Sequence, residues 1–133
     1  QALARAKALE TLAWMNNTVH PTFTHYFMPN KFTDQPEAQS VLKTYAAVQY
    51  RTLMEELQQL VQSSAQAGNA WLSGSAMGPL DAYALTLLRW GSMAGINPSD
   101  LPALWSHVQK VAEHAAVKAV MERERLVLNL FKG

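Results

Sequence analysis

Apolar residues recur every three or four positions along most of the chain, and no stretch alternates apolar and polar residues with the two-residue period of a strand. A three- to four-residue period places apolar side chains along one face of an α-helix. Proline, glycine and asparagine interrupt the pattern where helices should end. The sequence therefore predicts an all-α fold, a bundle of about five helices.

The first two predicted helices are long. One runs from residue 2 to about 27, and we expect a kink at Pro21, because proline lacks an N–H and its ring clashes with the preceding turn. The other begins near Asp34 and ends at about Gln66. At about 1.5 Å per residue, this second helix would be roughly 45 Å long.

The clearest helix start lies in the stretch Trp71–Gly91. Pro79 suits the first helical position, and Asp81 follows Gly78 by three residues. At this spacing the Asp81 carboxylate can accept a hydrogen bond from a free backbone N–H near Gly78 and stabilise the positive end of the helix. The broad apolar stripe beyond it predicts a third helix that is central and buried and that ends around residues 94–95.

A fourth helix follows, capped by Ser99 or Asp100, and a bend near residues 114–116 separates it from a fifth. With 133 residues, the chain is long enough for one domain with a substantial core, so we expect residues 1–133 to form a single domain. The first residue is Gln1 and not Met, and it lies within a helical pattern. We therefore expect the chain to be a piece of a longer protein or a processed product.

Composition and charge exclude several classes of function. Hydrophobic residues make up 49% of the chain and charged residues 16%, which is typical of a globular and not a disordered protein. The net charge is +1, and no basic stripe that would bind nucleic acid is present. No uncharged run is apolar enough to span a membrane. Since there is no cysteine, disulfides and thiolate chemistry within these residues are excluded, which is compatible with the cytoplasm.

The four histidines are poorly spaced for binding a metal ion. His20 and His25 are five residues apart, which is unfavourable for one helix face. His107 and His114 are two turns apart, roughly 10 Å along the axis at about 1.5 Å per residue. Because neither pair can hold an ion without further ligands, and no HExxH or Glu-x-x-His motif is present, we predict no metal site.

The candidates for ligand binding lie on the first helix. His20 comes directly before the Pro21 kink, and Asn16 and Asn17 precede it by one turn. These polar side chains could line a cleft, or His20 could simply hydrogen-bond to the broken turn. The aromatic residues of this helix could form core or the wall of an apolar pocket; they are Trp14, Phe23, Tyr26 and Phe27.

Three motifs resemble the C-terminal helical domain of bacterial glutathione S-transferases. The stretch Trp71–Gly91 resembles the family's Trp-Leu-x-Gly loop with its capping Asp, Ala-Tyr and Leu-Arg-Trp end, but Gly78 replaces the usual Ser or Thr cap. The run Asn16–Phe23 (NNTVHPTF) is similar to an Asn-Ser-Thr-x-His-x-x-Phe run and is nearest to the beta-like classes, although Pro21 stands where a lysine is common. Leu104–Trp105, followed by Val108, is the third match.

The resemblance implies that this chain is the helical half of a two-domain protein. The family's thioredoxin-like N-terminal domain binds most of the cosubstrate glutathione and supplies the catalytic group, and it is not among these residues. The helical domain contributes the electrophile pocket and much of the dimer interface. The resemblance implies that His20, together with Asn17, faces the cleft between the two domains. It also implies that Trp14, Phe23 and Tyr26 complete the substrate-binding set and that none of these residues is catalytic.

Three hypotheses follow from these observations. The first is the C-terminal half of a cytoplasmic, homodimeric glutathione transferase-like enzyme, which acts on a small apolar electrophile and is active only when joined to its N-terminal domain. The second is a stand-alone helical protein–protein interaction module of the same fold, and the third is a generic ligand-binding bundle. The sequence upstream of Gln1 would distinguish the first two.

Overall fold

The computed structural model describes all 133 residues. They form an all-α fold without a β-strand; the only extended pairing is a single bridge between Trp71 and Gly74. The α-helices are α1 (Ala2–Trp14), α2 (His20–Phe27), α3 (Pro36–Gln66), α4 (Pro79–Met93), α5 (Pro102–Glu113) and α6 (Ala115–Arg123). Because α1 and α2 are joined by one helical turn without a break, the prediction of a bundle of about five helices is confirmed.

A π-turn, Met15–Val19, lies just before Pro21, the residue at which the sequence predicts a kink. The N–H of His20 donates to the carbonyl of Met15, five residues earlier, which is the hydrogen-bond pattern of a π-helix. The backbone stays in the helical region through this turn. Pro21 therefore follows a widened turn and does not end the helix.

The chain divides into two compact units, residues 1–53 and 54–133, with the boundary inside α3. The first unit contains α1, the π-turn, α2 and the first part of α3. Its buried apolar residues come from the π-turn, α2 and α3, whereas α1 has none. They are Met15, Val19, Phe23, Ala46, Tyr50 and Leu53.

The second unit is organised around α4. This helix begins at Pro79 and buries eight of its residues, among them Leu87 and Leu88, which confirms that it is central. The C-terminal part of α3 and helix α5 supply most of the remaining buried apolar side chains. They include Met54, Leu57, Val61, Leu104, Val108 and Val111.

The start of α5 differs from the prediction. Ser99 and Asp100 belong to a separate 3₁₀ turn, and the helix begins two residues later. Its first free N–H groups, those of Ala103 and Leu104, donate to Oε1 of Gln58 on α3 at 3.0 and 3.2 Å. The cap therefore comes from a side chain 45 residues away, and no local sequence signal could indicate it.

Two helix ends follow the prediction. Gly68, just after α3, has φ +87°, a left-handed conformation that glycine adopts at little cost. The bend between α5 and α6 lies at His114, whose backbone is extended and whose Nδ1 accepts the N–H of Ala116 at 3.3 Å. None of the helices combines the length and the apolar character that a bilayer crossing requires.

Beyond α6 the chain contacts α4. Arg125, which follows α6, has φ +54°, in the left-handed region. Nε of Arg89 then donates to the carbonyl of Val127 at 2.7 Å, and the N–H of Leu130 donates to Oγ of the buried Ser92 at 2.9 Å. Two side chains of α4 thus fix the C-terminal segment on the second unit.

Candidate functional site

The predicted substrate-binding residues all lie in the first unit, on and beside the π-turn. The turn buries Met15 and Val19 and exposes Asn16 and Asn17. His20, half-buried, follows directly as the first residue of α2. The turn therefore presents two adjacent amide side chains, and an imidazole follows three residues after the second of them.

A hollow of about 460 Å³ opens on the surface beside this turn. Its lining residues follow one face of α1 into the π-turn, first apolar and then amide: Leu9, Leu12, Ala13, Asn16 and Asn17. Nδ2 of Asn16 donates to Oδ1 of Asn17 at 3.2 Å. Because each amide offers two donors and an acceptor, the pair has further hydrogen-bonding capacity for a ligand. The hollow suits a small amphipathic molecule.

An aromatic cluster forms the next part of the unit. The ring of Phe23 lies 6.0 Å from that of Tyr26, 5.7 Å from that of Phe27 and 5.4 Å from that of Tyr50, measured between centroids. Phe23 is 5% exposed, whereas Phe27 is 58% exposed and Tyr26 is half-buried. Phe23 therefore supports the cluster from inside, while Tyr26 and Phe27 present its accessible surface.

The structure distributes the predicted site residues over separate groups. Asn17 lines the hollow, and Phe23 and Tyr26 belong to the aromatic cluster. Trp14, at the end of α1, and His20 are half-buried, and neither lines the hollow. Six residues separate His20 from Tyr26, so their side chains point about 120° apart around the helix axis. The hollow and the aromatic cluster thus contain three of the five predicted residues.

The Asp81 carboxylate has four hydrogen-bonding partners in the second unit. Its side chain is fully buried. Oδ1 accepts the N–H of Leu72 and lies 2.8 Å from Nε2 of His107. Oδ2 accepts the N–H of Gly78 at 3.0 Å, the bond that the spacing predicts, and that of Ser73 at 3.3 Å. One carboxylate thus holds the start of α4, the preceding loop and α5 together.

These contacts decide the charge of Asp81. Burial disfavours the carboxylate and by itself raises its pKa, but the hydrogen bonds from His107, Gly78, Leu72 and Ser73 outweigh that effect. The pKa falls from its ordinary 3.8 to about 2. Asp81 is therefore ionised at neutral pH, and its charge is matched by donors on every side.

The glycine at the cap of α4 has a steric reason. A Cβ placed on Gly78 would lie 2.6 Å from Oγ and 2.7 Å from Cβ of Ser73. Since real contacts of this kind are never so short, the Ser73 side chain occupies the space that a capping Ser or Thr would need. Gly78 and Ser73 therefore fit each other.

His107, weighed above only as a metal ligand, is instead the buried partner of Asp81. His107 lies on the buried face of α5, and its ring packs edge-on against that of Trp71 at 5.9 Å. Lys110, one turn later, places its ammonium 4.0 Å from the centroid of the Trp71 ring and donates to the carbonyl of Ala70. The sequence did contain a signal for this contact: a histidine within the apolar stripe of a helix is buried and therefore needs a hydrogen-bonding partner.

The described side chains do not form a metal centre. No group of three or more His, Cys, Asp or Glu residues is close enough to hold an ion. The contacts of Asp81 and His107 join α4, the preceding loop and α5 within the second unit.

Comparison with known proteins places these features in a family context. No protein-family model matches the chain. The chain is 30% identical over 125 residues to glutathione S-transferase GST-4.5 of Xanthomonas campestris pv. campestris, a match that covers 94% of the chain and 59% of that relative. It is 27% identical over 125 residues to glutathione S-transferase GstA of Escherichia coli O157:H7, covering 94% of the chain and 56% of the relative. The chain thus spans somewhat more than half the length of these relatives.

A solved structure shares the architecture. It is a glutathione transferase homologue from Sulfitobacter with bound glutathione, and it superimposes with a TM-score of 0.81 over 95% of this chain and 58% of the other. The two sequences are 14% identical, so this likeness establishes the fold alone. The chain is therefore homologous to the glutathione S-transferases and forms a helical domain of the type found at their C-terminus.

Proposed function

We propose that this chain is the C-terminal half of a glutathione S-transferase-like enzyme, in which it provides the electrophile pocket and a dimer surface. Homology over 94% of the chain supports this, as does the glutathione bound by the Sulfitobacter homologue. A thioredoxin-like domain outside these residues would bind most of the glutathione, the cosubstrate, and supply the catalytic group. The NNTVHPTF run supports a beta-like class, and we propose a cytoplasmic location.

The observation that carries the proposed site is the π-turn. It exposes Asn16 and Asn17 beside an apolar hollow and is followed directly by His20. We assign His20 and Asn17 to orienting the substrates, because a positioned hydrogen-bonding group accelerates a reaction without itself activating the nucleophile. Trp14 and Tyr26 would supply apolar surface, and the buried Phe23 would support the ring of Tyr26 from inside the unit.

The proposed dimer surface lies on α3. Val41, Tyr45 and Val48 are 71%, 62% and 62% exposed, and their spacing puts them on one face of the helix. A contiguous row of exposed large apolar side chains is typical of an interaction surface. A second copy of the protein is the partner that we propose for this row.

The His20→Ala substitution in the whole enzyme tests the proposed site. We expect kcat/KM with glutathione and chlorodinitrobenzene to fall about threefold to tenfold, equivalent to about 1 kcal/mol of transition-state stabilisation. The thermal midpoint should change little, because truncation of a partly exposed side chain has a small effect on stability. Steady-state kinetics and a thermal melt measure both quantities.

The control is His25→Ala, which truncates a second half-buried histidine of α2 whose ring packs on that of Phe32. Its kcat/KM should stay near that of the wild type. Equal losses in both variants would remove His20 from the proposed site.

The purified 133-residue chain should not catalyse the conjugation, and turnover by it would contradict a catalytic group in another domain. An inactive whole protein would instead favour the interaction module.

A further inference from the structure

A positive charge lies over one ring of the aromatic cluster. Nζ of Lys43, on α3, lies 4.9 Å from the centroid of the Tyr26 ring. The electron-rich face of an aromatic ring attracts a cation, which holds this ammonium at the edge of the cluster. Lys43 is exposed, and it forms no salt bridge with a carboxylate. Its charge is therefore available to a ligand that packs on the cluster.

The surroundings of Lys43 in the first unit favour an anion. No Asp or Glu occurs between Glu10 and Asp34, a stretch that contains the π-turn and all of α2. The unit as a whole has five Lys and Arg residues against three Asp and Glu residues. The only titratable side chains of α2 are His20, His25 and Tyr26, so no carboxylate of this helix competes for the ammonium.

We propose that Lys43 selects electrophiles that carry an anionic group on an aromatic ring. This inference rests on the function proposed above. The ring of such a substrate would pack on the accessible faces of Tyr26 and Phe27, and its carboxylate would pair with the ammonium of Lys43. Since one side of the ammonium faces an aromatic ring and not water, the attraction is stronger than for a fully hydrated surface lysine.

The reaction that tests this is a nucleophilic aromatic substitution. The glutathione thiolate attacks the ring carbon that bears chlorine; a carbon–sulfur bond forms, and the carbon–chlorine bond breaks. Chloride leaves with the bonding electron pair, and the thiol proton is released to the solvent. Chlorodinitrobenzene and chlorodinitrobenzoate undergo the same steps, so the pair differs in the carboxylate that Lys43 would recognise.

The measurement is the ratio of kcat/KM for the benzoate to kcat/KM for the neutral compound, in the whole enzyme. Lys43→Met should lower this ratio about fivefold to tenfold, as expected for one partly desolvated ion pair. Lys43→Arg, which keeps the charge, should restore most of it. Lys118→Met removes the same charge from an exposed position on α6 and should leave the ratio unchanged. High salt should reduce the difference between wild type and Lys43→Met.

The outcomes separate the two proposals. An unchanged ratio in Lys43→Met overturns the assignment of Lys43 while the proposed function stands. An equal fall in Lys118→Met attributes the effect to net charge and also overturns it. If the wild-type enzyme turns over neither compound, the proposed function fails, and the selectivity fails with it.

Discussion

Asp81→Ala is expected to lower the free energy of unfolding by about 3–5 kcal/mol, because a buried charge is removed while its donors stay behind. The backbone N–H groups of Leu72, Ser73 and Gly78 lose their acceptor, and so does Nε2 of His107. Each unsatisfied buried donor costs about 1–3 kcal/mol. Chemical denaturation followed by helical circular dichroism measures the loss.

Two further variants make this measurement specific. Asp81→Asn keeps one acceptor oxygen and should lose less stability than Asp81→Ala. Glu56→Ala removes an exposed carboxylate of α3 and should change the free energy of unfolding by less than about 0.5 kcal/mol. A loss below about 1 kcal/mol in Asp81→Ala would show that this carboxylate does not organise the second unit.

Acidification should remove about 2 kcal/mol of stability through the same side chain. The pKa of Asp81 is about 2 in the folded protein and ordinarily 3.8, so the folded state binds its proton less readily than the unfolded state. The stabilisation from Asp81 is complete above the ordinary pKa and is lost as the pH falls through the folded value. We therefore expect the loss between about pH 5 and pH 2, since each unit of pKa corresponds to about 1.4 kcal/mol.

Comparison with Asp81→Asn isolates this contribution, because the other carboxylates titrate in both proteins. The stability difference between the wild type and Asp81→Asn, measured by urea denaturation at several pH values, should shrink as the pH falls through this range. A difference that stays constant from pH 5 to pH 2.5 would mean that the pKa of Asp81 is not depressed by its contacts.

The local features of the fold could be predicted because their causes lie within a few residues. The three- to four-residue apolar period predicts the helices, Pro79 predicts the start of α4, and Gly68 and the bend at His114 mark helix ends. The spacing of Gly78 and Asp81 gives the one cap bond that a carboxylate can make within its own turn. The family motifs added the helical domain type, which the relatives and the shared fold support.

The sequence also predicts a binding site around His20, but which side chains lie together there depends on the geometry of the helix. A π-turn changes the angular positions of all residues that precede it, and no rule of local spacing indicates where such a turn forms. Phe23 is therefore part of the core of the first unit. Asn17 lines a hollow together with two leucines of α1.

The sequence by itself determined the helices and most of their ends, since these follow from backbone preferences and from a short-range apolar pattern, and the type of domain came from the resemblance of its motifs to a known family. Only the tertiary structure decided the long-range polar partners: Gln58 as the cap of α5, His107 as the partner of Asp81, and Lys43 over Tyr26. The physical reason is that a polar or charged group pairs with whichever suitable partner packing brings within range of it. Which residue arrives there depends on how helices far apart in the chain pack against each other.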